Sequence, residues 1–85
     1  MARYKVVIKR SAVRELEAIP QKELSRIMER IGALADDPRP EGSRKLSGEE
    51  KYRIRQGNYR ILYAVEDDIL TVFVVKAAHR KDVYR

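Results

Sequence analysis

Three arginines flank a short turn in the segment YRIRQGNYR, residues 52–60. The segment alternates polar and apolar residues around a Gly-Asn pair, which is typical of a two-residue β-hairpin turn. Such a turn would pair Arg55 with Arg60, and because side chains alternate across a strand, Arg53 would share their face. Guanidinium groups that lie directly opposite each other repel. A bound anion would offset that cost, and the planar fork of arginine suits phosphate. The segment is therefore a candidate for phosphate binding.

The alternative is a solvated basic face, which keeps a protein soluble and guards the sheet against edge pairing. Residues 51–63 contain no acidic residue, although a surface made for solubility would mix both signs of charge. Arginine occupies three of the four polar positions of the predicted face, with Lys51 as the fourth. The residues alone leave both interpretations open.

The C-terminal stretch adds further polar and aromatic residues: His79, Arg80, Lys81 and Tyr84. If the last strand lies beside the hairpin, its end brings Arg80 and Tyr84 towards the same face. A tyrosine near a terminus is more often a packing residue, and a lone histidine is usually structural. Near several cations the protonated form of His79 is disfavoured, and a neutral imidazole can accept a proton.

Size and composition restrict the function classes. The 85 residues are expected to form one domain, residues 1–85. The net charge is +6, and residues 44–85, with ten basic and six acidic residues, carry +4 of it. This suggests a polyanionic partner, either nucleic acid or an acidic protein. With no cysteine and one histidine, neither a thiolate site nor a conventional zinc site is expected, and no cofactor is predicted.

Nothing in the sequence indicates a membrane. The chain begins without a charged-then-apolar leader, and no apolar run approaches the ~20 residues needed to span a bilayer. A cytoplasmic location and no membrane partner are therefore expected.

The first half of the chain predicts a strand and two helices. Residues 2–9 have strand composition, with Tyr4, Val6 and Ile8 on one face. A short helix follows over residues 12–19, with Ser11 as the N-cap and an inward set of Val13, Leu16 and Ile19. Pro20 ends it and precedes a second helix over residues 21–35, which carries an amphipathic stripe of Leu24, Ile27, Met28, Ile31 and Leu34. Residues 38–43 read as a loop.

The second half reads as β structure. A short edge segment at Lys45-Leu46 precedes strands over residues 51–56, 59–65 and 69–76, with a turn at residues 66–68. The run ILTVFVV predicts a central strand, and residues 77–85 a terminal helix or tail. The predicted fold is α+β, with two N-terminal helices on one face of a roughly four-stranded antiparallel sheet in the order β-α-α-β-β-β. The helices would cover an apolar face made of Tyr52, Ile54, Tyr59, Ile61, Tyr63 and Val65.

Three blocks follow the opening strand and the helix pair: KLSG at 45–48, YRIRQGNYRILY at 52–63 and VFVVKAAHRKDVY at 72–84. In their combination the chain resembles the RelE/ParE superfamily of toxins from type II toxin–antitoxin systems, and looks most like the RelE branch. The resemblance spans essentially the whole chain and implies a RelE-like fold. It also implies a ribosome-dependent endoribonuclease that cuts mRNA in the decoding site. The ribose 2′-hydroxyl attacks the adjacent phosphate without a metal, giving a 2′,3′-cyclic phosphate and a 5′-hydroxyl.

The resemblance also assigns roles to residues. Arg53 and Arg55 match two basic positions before the turn, where the best-known pattern has lysines. Because arginine effectively never gives up its proton, these two are expected to clamp the mRNA backbone. Arg60 and Arg80 match the arginines that would hold the scissile phosphate and its transition-state charge.

The remaining site residues have looser assignments. Tyr84 matches the terminal tyrosine and would stack on a base or assist proton transfer, with His79 as a second candidate for that transfer. Lys51, His79 and Lys81 are expected to bind substrate. The sequence leaves open which residue is the general base and which the general acid.

The resemblance implies a set of partners. These are a cognate acidic antitoxin, a ribosome with mRNA in its decoding site, and operator DNA through the antitoxin only. The antitoxin would neutralise the basic face or displace the terminal segment. Two other functions remain open: a ParE-like toxin that inhibits DNA gyrase without nuclease activity, and a module that does nothing more than bind an antitoxin.

Overall fold

Two helices and five strands follow one another in the residues that the computed structural model describes, 3–46 and 51–81. The helices are α1 (Arg10–Glu17) and α2 (Gln21–Ala33). The strands are β1 (Lys5–Ile8), β2 (Arg44–Lys45), β3 (Lys51–Gln56), β4 (Tyr59–Glu66) and β5 (Thr71–His79). A single turn of 3₁₀-helix, Asp67–Ile69, connects β4 to β5.

The strands form one sheet in the order β1-β5-β4-β3-β2. β2, β3, β4 and β5 pair antiparallel, and β1 pairs parallel with β5. The predicted α+β class is confirmed, but the sheet has five strands and is mixed, where about four antiparallel strands were predicted. The parallel pair arises because the helices carry the chain to the far edge of the sheet. The strands then return one by one until β5 lies beside β1.

The helices cover one face of this sheet and form the core with it. The helices and the turn after α2 contribute Ala12, Leu16, Ile27, Ile31 and Leu34, and the sheet contributes Tyr52, Ile54, Ile61, Tyr63, Val65, Val72, Val74 and Ala77. Val6 and Ile8 of β1, together with Tyr4 just before it, pack against this core, as their alternation predicts. The opposite face of the sheet, called the open face below, carries the residues that alternate with these.

The first helix differs from its prediction at the start. α1 begins at Arg10 with Lys9 at the N-cap position, so Ser11 lies inside the helix and the predicted N-cap was wrong. Leu16 is buried as predicted, whereas Val13 is 38% exposed and Ala12 is buried in its place. Ala12 and Leu16 are four residues apart, so they lie on one side of the helix, and Val13 points away from it.

The second helix agrees with its prediction more closely. Pro20 precedes the first helical residue, and the helix ends at Ala33, two residues before the predicted end. Leu34 is fully buried in the turn that follows. Met28 is the exception in the predicted stripe, since it is 41% exposed.

The last strand is longer than predicted. β5 continues to His79, so the prediction of a helix or tail was wrong for residues 77–79. Pairing with the long strand β4 extends it, since Ala77 lies opposite Ile61 and His79 opposite Tyr59. A register shift between Leu62 and Tyr63 marks a bulge in this pair. Residues 82–85 of the predicted tail lie outside the described residues, as do Ser47 and Gly48 of the KLSG block.

Asp67, in the turn between β4 and β5, is hydrogen-bonded to two residues that are distant in the sequence. Its Oδ1 accepts a hydrogen bond of 2.6 Å from the Tyr4 hydroxyl, and its Oδ2 lies 2.8 Å from Nη2 of Arg39. Arg39 Nε also donates to the Tyr52 hydroxyl at 2.8 Å. The hydrogen bonds from Arg39 and from Tyr4, in that order, lower the pKa of Asp67 from 3.8 to about 2. The cluster links β1, the loop after α2, β3 and the β4–β5 turn.

Replacing Asp67 should change how stability depends on pH. A carboxylate whose pKa is lowered by folding stabilises the protein above its unfolded pKa, and this contribution is lost as pH falls through the folded pKa. The free energy of unfolding of the wild type should therefore fall as pH drops from 3.8 towards about 2. Asp67→Asn should remove this part of the pH dependence. Urea unfolding followed by circular dichroism at a series of pH values measures it.

Asp68→Asn is the matched control, because it removes a neighbouring carboxylate that makes none of these three contacts. It should keep the wild-type pH profile between 3.8 and about 2. Equal profiles for the two variants would contradict the stabilising role of Asp67.

Candidate functional site

The predicted arginines share the open face of the sheet. In the β3–β4 register, Arg55 lies directly opposite Arg60 and Arg53 opposite Leu62. The residues that alternate with them, such as Ile54 and Ile61, are fully buried under the helices. The alternation of the sequence therefore placed these side chains on the correct face.

A tight turn brings β3 and β4 into this register. Gly57 has a φ of +60°, a conformation that most residues with a side chain rarely adopt. The segment that follows β5 joins the turn from the other side, since the Arg80 N–H donates to the Asn58 carbonyl at 2.7 Å. Nη1 of Arg60 donates to the Arg80 carbonyl at 3.2 Å. The end of β5 is thus hydrogen-bonded both to the turn and to the arginine that follows it.

These contacts create a small pocket, called the turn pocket below, with a volume of about 90 Å³. Arg55, Arg60 and Arg80 line it together with Gly57, Asn58 and Tyr59. Three segments of the chain each supply one guanidinium group, and Arg60 is partly buried. Partial burial lowers the local dielectric and strengthens the attraction of these cations for an anion. The volume is several times the minimum that holds one water molecule, so the pocket has room for a small anion.

A second cavity on the open face, called the edge pocket below, has a volume of about 290 Å³. Gly42, Ser43, Arg44, Arg53 and Arg55 line it, so Arg55 lies on the border of both pockets. Arg44 is the direct partner of Arg53 in the β2–β3 pair. Sequence analysis missed Arg44. It predicted the edge segment one residue later, and without a β2–β3 register it had no means to assign Arg44 to a face.

Hydrogen bonding and stacking hold the start of the loop that leads to Arg44. The Tyr63 hydroxyl, which is buried in the core, donates to the Pro38 carbonyl at 2.7 Å. Burial raises the pKa of Tyr63 to about 12, which keeps this hydroxyl protonated and able to donate. The Tyr63 ring also stacks on Tyr52, with 5.8 Å between ring centroids.

The structure separates His79 from the arginines. Its ring contacts Tyr59 edge to face, with 5.5 Å between centroids, and Tyr59 packs against the core. Because these two are cross-strand partners, His79 lies on the helix-covered side of the sheet. It lines a different cavity, of about 280 Å³, beside Glu15 and Ile19 of the helical region.

The other predicted site residues are Lys51, Lys81 and Tyr84. Lys51 continues the open face at the far end of β3, opposite Ala64. Lys81 is exposed just after β5, and its N–H donates to Nδ1 of His79 at 3.3 Å. Tyr84 lies outside the described residues.

Metal-binding clusters and membrane-spanning helices are both absent from the described residues. Within residues 3–46 and 51–81, no three or more aspartate, glutamate, cysteine or histidine side chains gather in a way that could hold a metal ion. Neither helix in these ranges has the length and apolar character needed to cross a membrane.

Comparison with known proteins identifies the family. Residues 6–84 match the family described as the ParE toxin of the type II toxin–antitoxin system parDE. The chain belongs to this family. Toxin RelG of Mycobacterium tuberculosis is 34% identical to this toxin over 86 residues, which cover 96% of this chain and 97% of RelG. The resemblance to the RelE/ParE superfamily is therefore confirmed, and the protein is a type II toxin of that superfamily.

Solved structures agree with the fold of the toxin. The RelBE2 toxin–antitoxin complex of Mycobacterium tuberculosis contains a chain that superposes with a TM-score of 0.80 at 30% identity, covering 92% of this chain and 99% of that one. The RelE–RelB complex of Pyrococcus horikoshii gives a TM-score of 0.81 at 26% identity, covering 98% and 100%. The RelE-like α+β fold is confirmed.

The turn that aligns the arginines should depend on Gly57. Nothing lies within 4 Å of a Cβ built at this position, so the Cβ itself meets no steric clash and the expected cost comes from the backbone conformation. Gly57→Val should lower the free energy of unfolding by about 1–2 kcal/mol, because a residue with a Cβ is strained at this φ. Chemical denaturation at neutral pH measures it.

Gly32→Ala is the matched control. Gly32 lies within α2, and a Cβ there also meets nothing within 4 Å. This variant should gain up to ~1 kcal/mol, because alanine is the better helix former. A stability of Gly57→Val equal to the wild type would contradict the role of the turn.

Proposed function

We propose that this toxin is a ribosome-dependent endoribonuclease that cuts mRNA and so inhibits translation. The observation that carries the proposal is the turn pocket, where Arg55, Arg60 and Arg80 converge on a volume of about 90 Å³. The names of the relatives, which include toxins RelG and RelE, also support it.

The proposed reaction is an internal transfer at one phosphate of the RNA backbone. The 2′-hydroxyl of the preceding ribose attacks the phosphorus, the new O2′–P bond forms, and the bond from phosphorus to the 5′ oxygen breaks. The proton lost by the 2′-hydroxyl and the proton gained by the leaving 5′ oxygen balance. The products are a 2′,3′-cyclic phosphate and a 5′-hydroxyl.

In this reaction the arginines supply electrostatic stabilisation. The phosphate gains negative charge as the attacking oxygen approaches, and donors already placed around it stabilise that charge without reorganising. Arg60 and Arg80 are the proposed ligands of the scissile phosphate. Arg55, on the border of the two pockets, and Arg53 would hold the flanking backbone.

Proton transfer needs a different residue, because arginine does not release its proton at neutral pH. Of the two predicted candidates, His79 lies on the helix-covered side of the sheet against Tyr59. We therefore assign proton transfer to Tyr84 in preference to His79. Lys51 and Lys81 are proposed to contact the RNA backbone outside the turn pocket.

The open character of the site gives a reason for dependence on the ribosome. Both arginine pockets lie on a sheet face that no helix or strand among residues 3–46 and 51–81 covers, so this part of the toxin does not enclose its substrate. A strand already held in the decoding site would arrive with the attacking hydroxyl and the phosphate aligned, and such alignment supplies a large part of a catalytic effect.

A cognate antitoxin is the proposed protein partner. The RelBE2 structure of Mycobacterium tuberculosis is a toxin–antitoxin complex, and the Pyrococcus horikoshii structure is a RelE–RelB complex. On the open face of this toxin, the arginines lie beside the half-buried Leu62, Ala64 and Phe73. An acidic antitoxin segment with some apolar residues would complement this surface in charge and in polarity. Binding to operator DNA is proposed to occur through the antitoxin only.

Removing either arginine of the turn pocket should abolish cutting. Arg60→Ala and Arg80→Ala should each lower the cleavage rate by about 100- to 1,000-fold, the usual effect of losing one donor to a developing charge. Primer extension on mRNA from translating extracts would map the cuts within codons. Circular dichroism would show that the variants fold.

Arg14→Ala serves as the control, because it removes the same charge from an exposed position of α1 on the helical side. It should cut like the wild type. Normal cutting by both pocket variants would show that the assigned site is wrong.

Inhibition of DNA gyrase is the second candidate function. It is favoured by the description of the matching family, which names the ParE toxin. A supercoiling assay with purified toxin discriminates between the two. We expect supercoiling to continue while mRNA is cut in translating extracts, and inhibited supercoiling with intact mRNA would replace the nuclease proposal.

A further inference from the structure

The edge pocket has the features of a second anion site. Among the described residues, Arg44, Arg53 and Arg55 line it together with the uncharged Gly42 and Ser43. Arg44 and Arg53 are direct cross-strand partners, so both guanidinium groups start from neighbouring points on the open face. Like-charged residues at directly opposite positions destabilise a sheet unless something compensates them. A phosphate between the two guanidinium groups would lower this repulsion, in addition to the interaction that Arg53 makes within the chain.

The spacing of Arg53 and Arg55 along β3 suits a nucleic-acid strand. Arg53 and Arg55 are two residues apart on β3, which corresponds to about 6.6–6.8 Å along an extended strand. This is similar to the separation of successive phosphates on a stretched single strand of RNA. Arg55 lines both pockets, so one guanidinium group lies between the two positions.

We infer that the edge pocket binds the RNA phosphate next to the scissile one, and that Arg44 is a further substrate-binding residue. The inference rests on the proposed function for the identity of the ligand as RNA. Arg44 acts with Arg53 on one phosphate, while Arg60 and Arg80 act on the next. Two adjacent phosphate sites fix the path of the strand along β3, which one site cannot do.

The loop before β2 places Arg44 for this role. The loop begins where the Tyr63 hydroxyl holds the Pro38 carbonyl, and it continues into the pairing of Arg44 with Arg53. Lys45, the next residue, pairs with Tyr52, whose side chain is buried on the helix side. Alternation therefore directs Arg44 and Lys45 to opposite faces of the sheet.

This pair of neighbours provides a matched test. Arg44→Ala and Lys45→Ala remove the same charge from adjacent positions, so bulk electrostatics change equally. The probes are a dinucleotide and a trinucleotide of 2′-O-methyl RNA without terminal phosphates, which carry one and two phosphates and cannot be cut. NMR titration of the folded toxin measures weak dissociation constants and reports which amide signals shift.

The wild type and Lys45→Ala should bind the trinucleotide about tenfold more tightly than the dinucleotide, as expected for one added charge-assisted contact. Arg44→Ala should lose most of this gain. For the trinucleotide, its salt dependence should also be shallower by about 0.7 in the slope of log K against log salt, the value for one phosphate of a single strand. The second phosphate should shift the amide signals of Ser43 and Arg44.

Equal gains in Arg44→Ala and Lys45→Ala would overturn the inference, as would a wild type that binds both probes equally. These measurements do not depend on cutting. A toxin that binds the second phosphate but leaves mRNA intact on ribosomes would keep the edge pocket and lose the proposed function. A toxin that cuts normally but shows no gain from the second phosphate would keep the proposed function and lose the edge pocket as a phosphate site.

Discussion

The antiparallel pairing of β3 with β4 is the constraint on which the candidate site depends. It places Arg55 directly opposite Arg60. Because side chains alternate between the two faces, the intervening apolar residues point into the core. A shift of one residue in this register would exchange the two faces, burying guanidinium groups and exposing Ile54 and Ile61. Burial of the apolar face therefore holds the cations in place, although they repel one another.

The sequence predicted this part of the molecule well because its signal is local. Period-two alternation and a Gly-Asn turn together define the strands, the register and the face of the arginines between residues 51 and 66. The parallel pairing of β1 with β5 was missed, because direction depends on the path of the chain through both helices. The extension of β5 to His79 was missed because small and polar residues there have weak strand propensity, and pairing with β4 overrides it.

The difference between local sequence signals and long-range pairing also applies to the site residues. Alternation decided the position of Arg53, Arg55 and Arg60, and resemblance to a family drew attention to Arg80, which hydrogen bonds then join to the turn. Neither signal indicated Arg44, whose position follows from a two-residue strand at the sheet edge. His79 is the converse case. The nearby cations and a neutral imidazole made it a candidate, whereas alternation along β5 directs it to the other side.

The place of β5 in the sheet has a consequence for the synthesis of the protein. β1, at the start of the chain, finds its partner in residues 71–74, close to the other end. Until that late segment has been made, the first strand has no neighbour in the sheet, and the segment that carries Arg80 cannot join the hairpin. Contacts between distant parts of a chain also form slowly. The arginine pocket therefore cannot assemble on the growing chain before residues 71–80 have been made.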